Sequence, residues 1–318
     1  MILSINHQLS ALNQLRPPLI KMDAAVKAKV ENFWGRESKM AENPEHLDVV
    51  GYWTEMKLQI LQEYAKEYAK ILKSQPYIKH VAYIDGFAGA GAHIAKESGA
   101  VIEGSPARVL SIQPRFTHYH FVEMREDRVE RLRSLGSEKD VTVYHGDCNE
   151  VLLKEVFPQC RYEDYRRALC LLDPYKLNPN WEVVETAGRM RSVEIFLNFM
   201  IMDANMNALK KNPDAVTPEQ AQRMTAFWGD DSWRQYAYRT EQGLFGPIEE
   251  KDTNEAVVEA YCKRLKDVAG FKYVPKPLPM CNTRGAVVYY LLFASQNSTG
   301  NKIAEHIFKK YRNRVAGK

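Results

Sequence analysis

The sequence predicts an α/β protein built on a mostly parallel, doubly wound sheet with helices on both faces. Short β-rich runs alternate with stretches of helical periodicity along most of the chain, the pattern of successive strand–helix crossovers. The first such run, His80-Val81-Ala82-Tyr83-Ile84-Asp85, breaks directly into Gly86-Phe87-Ala88-Gly89-Ala90-Gly91. A buried parallel strand does this when it feeds a phosphate- or nucleoside-binding turn. Acidic residues then recur at the ends of the strands that follow.

Composition permits this fold and narrows the class. The chain has 318 residues, 45% of them hydrophobic, enough to fill a sizeable core. A net charge of +4 on 26% charged residues is a mild basic excess. It is compatible with a nucleic-acid partner but falls short of the footprint of a dedicated binder. Cys148, Cys160, Cys170, Cys262 and Cys281 form no C-x-x-C and no paired short spacing, so neither a disulfide framework nor a zinc site is expected. The start, MILSINHQLSALNQL, lacks a basic region followed by an apolar core, and no segment approaches the roughly 20 apolar residues that span a bilayer. A cytoplasmic location without membrane contact is the expectation.

Residues 1–44 carry Val26, Val30 and Phe33 at helical spacing within a charged run, which predicts a helical arm ahead of a single α/β domain over 45–318. From Tyr52 to Leu72, Met56, Ile60, Leu61, Tyr64, Tyr68, Ile71 and Leu72 draw one apolar stripe on a long helix. After the strand at 80–85, Gly104-Ser105-Pro106 reads as a helix start with Ser105 as N-cap and Pro106 at the first helical position. Further strands are expected at 117–122, 141–145, 168–172 and 193–199, with a charged helix at 125–135. Between about 202 and 254 the sequence turns polar, with helix-like pieces near 218–227 and 232–239 and no strand run, so a helical insertion is expected. A helix at 253–268 precedes strands at 271–277 and 286–294, whose short separation predicts an antiparallel pair, and a helix at 302–314 closes the domain.

The loop after the first strand needs residues without side chains where backbone approaches a ligand, and Gly86, Gly89 and Gly91 supply them. Asp85 is placed to accept from the ligand's amino group, directly or through water, with Phe87 packed beneath the loop. A glycine-rich loop alone is more often a tight turn than a ligand site. Glu123, at the end of the second strand, stands where an acid takes both hydroxyls of a ribose. Asp147 in Gly146-Asp147-Cys148 can accept from an adenine amine, with Cys148 beside it in the same group. Each acid has a plainer alternative, a solvated strand end for Glu123 and a helix cap for Asp147. Their recurrence at three successive strand ends favours one ligand site, since ligands of open α/β sheets bind outside the carboxyl ends of strands.

Asp173-Pro174-Tyr175, at the end of the fourth strand, is the candidate for reaction chemistry. A carboxylate and a carbonyl beside an aromatic ring can hold an amino group and stack a planar base, although Asp-Pro also makes a common strand-ending turn. Lys57 on the long helix could reach a ligand carboxylate, against a solvated lysine as the default. Asn198 is placed to line the substrate pocket. His118 and His120 share a strand face, but no third ligand completes a metal site, and none is expected. The basic residues Lys309, Lys310, Arg312 and Arg314 could touch phosphates or simply form a solvated helix face.

Taken in order, Asp-x-Phe-x-Gly-x-Gly, Glu123, Gly146-Asp147 and Asp173-Pro174-Tyr175 resemble the class I S-adenosylmethionine (SAM)-dependent methyltransferases. More narrowly, the chain resembles the three-Cys-motif partner protein (TcmP) family over about residues 50–315. That resemblance runs through Lys57, Tyr64, Tyr83 to Gly89, Gly104-Ser105-Pro106, the Asp-Pro-aromatic triplet, Ile195 to Phe199 and Tyr289 to Ser295. It implies a Rossmann-like, seven-stranded sheet whose last strand is antiparallel, SAM as cofactor, and cofactor roles for Asp85, Gly89, Gly91, Glu123 and Asp147. It further implies a cysteine-bearing protein partner. The triplet has one proline where the amino-methyltransferase signature usually has two, and Lys176 follows it. Methylation of a base amino nitrogen in nucleic acid is therefore the leaning, with a protein or small-molecule acceptor, or a non-catalytic partner role, as alternatives. The oligomeric state is left open.

Overall fold

A computed structural model describes residues 47–136, 140–243 and 246–316 of the chain. The expected arm at 1–44 lies outside the described residues. In chain order the elements begin with β1 (Asp48–Val50), α1 (Tyr52–Lys73), β2 (His80–Asp85), β3 (Ala92–Ala95), β4 (Val101–Glu103) and α2 (Ser105–Leu110). They continue with β5 (His118–Glu123), α3 (Glu126–Leu135), β6 (Val141–His145), α4 (Cys148–Val151), β7 (Arg166–Leu172), α5 (Trp181–Met190) and β8 (Val193–Phe199). The remainder comprises α6 (Ile201–Asn207), α7 (Pro218–Trp228), α8 (Trp233–Ala237), β9 (Tyr238–Gly243), β10 (Gly246–Lys251), α9 (Asn254–Asp267), β11 (Leu278–Cys281), β12 (Val287–Ala294) and α10 (Ser298–Ala316).

Seven strands form the main sheet in the order β11-β12-β8-β7-β2-β5-β6. β12 runs antiparallel to both its neighbours, while β8, β7, β2, β5 and β6 pair in parallel. This is the Rossmann-like, mostly parallel arrangement with an antiparallel last strand that the sequence led us to expect. Its central strands are buried on both faces, so they read as near-continuous apolar runs. Every residue of β8 is buried, and alternate residues feed opposite cores, Ile195, Leu197 and Phe199 on one side and Phe196 on the other. One core packs against α1, α2 and α10, the other against α5, α7 and α9. Along α1 the expected stripe is buried through Ile60, Leu61, Tyr64 and Tyr68.

Four local expectations need correction. Residues 271–277 form no strand, because Pro275 and Pro277 cannot donate to a ladder. Only a bridge between Tyr273 and Ser295 survives there, and the partner of β12 is β11 at 278–281. β11 lies at the edge of the sheet, where its own Pro279 is tolerated. The insertion is not all helical: β9 and β10 pair antiparallel across it, a hairpin whose polar sequence hides the two-residue period. A small sheet was not expected: β3 and β4, which follow the glycine loop, join β1 from ahead of α1 in the order β1-β3-β4. Finally, Gly104 rather than Ser105 is the N-cap of α2, and the Ser105 hydroxyl is used elsewhere.

Candidate active site

The glycine loop leaves β2 at the middle of the sheet and is stitched to both neighbouring strands. Gly86 N–H donates to the Leu171 carbonyl at 2.9 Å and Ala88 N–H to that of Val122 at 3.0 Å. Gly89 and Gly91 take φ of +64° and +75°, conformations that L side chains rarely adopt. A Cβ on Gly91 would come within 2.9 Å of the Leu135 side chain, whereas one on Gly89 would meet nothing within 4 Å. The loop therefore packs closely against the protein at Gly91 and is open at Gly89, the shape of a backbone cradle. Phe87 is half-buried against the core, as expected. Cys148 is buried beneath the loop, its Sγ lying 2.8 Å from where a Gly86 Cβ would be, and burial raises its thiol pKa. Its side chain supports the cradle from below.

Asp85 is fully buried, and its carboxylate accepts the Phe87 N–H at 3.2 Å and the Ser105 hydroxyl at 2.5 Å. These contacts hold the loop to the start of α2. Burial, only partly offset by Ser105, pushes its pKa up to about 7. At the end of β5, Glu123 is half-buried and accepts through Oε1 from the N–H groups of Met124 and Arg125, at 2.8 and 2.9 Å. At the end of β6, Asp147 caps α4 through Oδ1, accepting from Asn149 and Glu150 at 2.9 and 3.3 Å. The capping alternative is thus realised. In Glu123 and Asp147 these contacts engage one oxygen and fix the carboxylate's orientation at the same end of the sheet as the loop.

The end of β7 carries a second cluster. Asp173 pairs with Lys57 through one oxygen and accepts the Asn198 amide N–H through the other. Lys57 is only 4% exposed, so it is neither the solvated lysine of the default reading nor directed at a ligand carboxylate. Its buried ammonium is held by Asp173, with the Tyr289 ring 5.8 Å away. Pro174 is buried, while Tyr175 is 60% exposed. The Tyr175 hydroxyl donates to Asp48 at 2.5 Å and accepts from Arg128 at 3.2 Å, and Arg128 also pairs with Asp48 at 2.8 Å. Desolvation and the Asp48 carboxylate raise the Tyr175 pKa to about 12. Tyr175 is therefore a fixed, neutral aromatic platform.

Asp48, Arg128, Ser105 and His93 were not identified from the sequence as members of the site. Asp48 and Arg128 are 80 residues apart and converge only through the small sheet and α3. His93 on β3 sits in register opposite Asp48. Its Nδ1 is buried without a hydrogen-bond partner. Burial, followed by the Lys57 charge, lowers its pKa to about 4, against the opposing pull of Asp173 and Asp48. The imidazole is therefore neutral and a weak proton acceptor near neutral pH. A histidine two positions beyond the last loop glycine was the available sequence signal. The earlier His118 and His120 pair serves the sheet instead, bonding Thr142 at 2.9 Å and Tyr144 at 3.0 Å. Among the described residues no cluster of three or more metal-ligating side chains occurs, and no helix is long and apolar enough to cross a membrane.

No family model and no curated protein matches this chain. Among solved structures, it is similar to a Legionella pneumophila protein at 11% identity, covering 80% of this chain and 92% of that one, with a TM-score of 0.47. An O-methyltransferase from Bacillus cereus in complex with SAH aligns at 13% identity over 87% of this chain and 93% of its own, with a TM-score of 0.38. A putative S-adenosylmethionine dependent methyltransferase from Listeria monocytogenes aligns at 12% identity over 76% and 100%, with a TM-score of 0.37. Likenesses this distant do not bear on chemistry, and the strand order above defines the fold without them.

Proposed function

We propose that the chain is a SAM-dependent methyltransferase acting on nucleic acid, with a base amino nitrogen as acceptor. The observation that carries the cofactor reading is the convergence, at the carboxyl ends of adjacent strands β2, β5 and β6, of the open glycine cradle with Glu123 and Asp147. The residues fit the group: Gly89 leaves room for a ligand against the backbone, Glu123 is placed for the ribose hydroxyls and Asp147 for the adenine edge. Asp85, Ser105 and Cys148 hold the cradle in shape. When bound, SAM supplies an electrophilic methyl on a sulfonium, open to in-line displacement. The narrower resemblance to the three-Cys-motif partner family belongs to this proposal, as does its implied protein partner.

On the acceptor side, the chain's own residues position the acceptor. Tyr175, fixed through its hydroxyl, offers its exposed ring for stacking against a planar base. Asn198 and Lys57 hold Asp173 in one orientation, each engaging one oxygen once, so the partly exposed carboxylate keeps lone pairs with which to accept from an acceptor amine.

Calorimetry with S-adenosylhomocysteine, on the full chain and a Glu123→Ala variant, tests the cofactor reading. Binding that weakens roughly tenfold or more in the variant is expected, and no binding to the full chain would sink it. Label transfer from SAM into separate DNA, RNA and protein fractions then decides the acceptor. Incorporation into protein alone would overturn the nucleic-acid assignment.

A further inference from the structure

At the other end of the strands, where β7 and β8 begin, the fold forms a half-open cavity of about 400 Å³. It lies between the amino ends of these strands, the C-terminal half of α1 and the first turn of α10. Ser192 immediately precedes β8 and Asn198 is its sixth residue, so about six steps of extended chain separate them by about 20 Å. The cavity is therefore distinct from the site around Asp173.

Its lining is cationic and aromatic. Arg167, Arg191 and Lys272 contribute positive charge, and Arg191 and Lys272 enter no ion pair among the described residues. Arg167 is partly committed, stacking 3.8 Å over the Tyr162 ring and donating to the Arg166 carbonyl at 2.6 Å. The first turn of α10 adds the partial positive charge of a helix N-terminus. A separate observation points to a ligand: Ser192 is 2% exposed, lines the cavity, and its hydroxyl has no hydrogen-bond partner. Buried hydroxyls are rarely left unpaired. Arg191 follows α5 with φ +61°, a left-handed position at which glycine is the usual residue. Tyr77, 55% exposed, presents a ring at the mouth. Glu194 lies on the floor, but Tyr64 and Ser295 occupy its oxygens, and burial pushes its pKa up to about 7, which limits its negative charge near neutrality.

We propose that this cavity is a second ligand site, taking a nucleoside monophosphate whose phosphate is held by Arg191, Lys272 and the Ser192 hydroxyl and whose base stacks on tyrosine. The volume exceeds that of a phosphate alone, and the rings would be idle against one. Free nucleotide and the phosphorylated end of a nucleic-acid strand share this chemistry. The site stands independently of the methyltransferase reading.

Calorimetric titration of the full chain with UMP, uridine and inorganic phosphate is the test, UMP being chosen because it lacks the adenine that the glycine-loop site is read to recognise. UMP should bind, with uridine and phosphate each roughly tenfold or more weaker. Arg191→Gly, which keeps the left-handed backbone, and Lys272→Gln at the exposed rim should each weaken UMP roughly tenfold. Glu123→Ala should leave UMP affinity unchanged. Tighter binding of a 5′-phosphorylated oligonucleotide than of UMP would support the site and identify a strand end as its source, while equal or weaker binding would support it with free nucleotide as the source. Absence of UMP binding at millimolar concentration would overturn the proposal. So would UMP binding that Glu123→Ala abolishes and Arg191→Gly leaves intact.

Discussion

Lys57 shows how burial decides the meaning of a single side chain. On a helix surface it would be solvated, but at 4% exposure it needs the Asp173 carboxylate, itself only 25% exposed at the side chain. Replacing Lys57 with Met keeps the stem and removes the charge, leaving Asp173 with Asn198 alone. We expect a loss of about 2 kcal/mol in urea denaturation, below the 3–5 kcal/mol of a fully buried broken pair. Adding Asp173→Asn should recover part of it, and strict additivity of the two substitutions would rule out the coupling. Glu194 makes a prediction of the opposite kind. Burial raises its pKa from 4.5 to about 7, so between those values the folded state binds more protons than the unfolded chain. The stability it contributes is complete below the unfolded pKa and is lost as pH rises through the folded one. Glu194→Gln should flatten the fall in urea midpoint between about pH 5 and 7. Asp85, shifted in the same direction, keeps some slope in that variant. An unchanged slope would show that Glu194 does not titrate in this window.

At the scale of elements, close backbone approach places α5. A Cβ on Gly188 would lie 2.1 Å from the Ala269 carbonyl oxygen, so the helix rests directly on the chain that follows α9. Alanine in mid-helix ordinarily gains about 1 kcal/mol over glycine. Here the overlap with backbone outweighs that gain, and Gly188→Ala should destabilise by about 2 kcal/mol or more. A neutral or stabilising result in urea titration would show that α5 can shift without cost. The same reasoning explains Gly91 and Gly104, whose missing side chains let the cradle, α3 and α2 meet. The element after the cradle is a short sheet rather than an immediate helix, and it carries His93 and Asp48 to the site.

For the whole molecule, the insertion is part of the core. Trp228 and Trp233 are fully buried, Phe227 stacks on Tyr261 of α9 at 4.9 Å, and Phe199 at the end of β8 packs on both rings at 5.0 and 5.2 Å. Tryptophan fluorescence and far-UV circular dichroism should therefore report one coincident urea transition. An earlier fluorescence transition would mean that the insertion unfolds alone. The strands that carry the site were legible from local sequence, because a parallel strand buried on both faces must be apolar along its length and must end where a glycine turn leaves it. The acids Glu123, Asp147 and Asp173 were legible for the same reason, each standing at a strand end. By itself, then, the sequence determined the sheet, its glycine cradle and the acids along its edge. The tertiary structure alone decided what those acids do. It turned Asp85 inward to Ser105, joined Lys57 and Asn198 to Asp173, and brought Asp48, Arg128 and His93 to Tyr175 and its neighbours. The physical reason is that a carboxylate's role depends on which donors reach it and how dry its surroundings are, and both are fixed by residues far away along the chain.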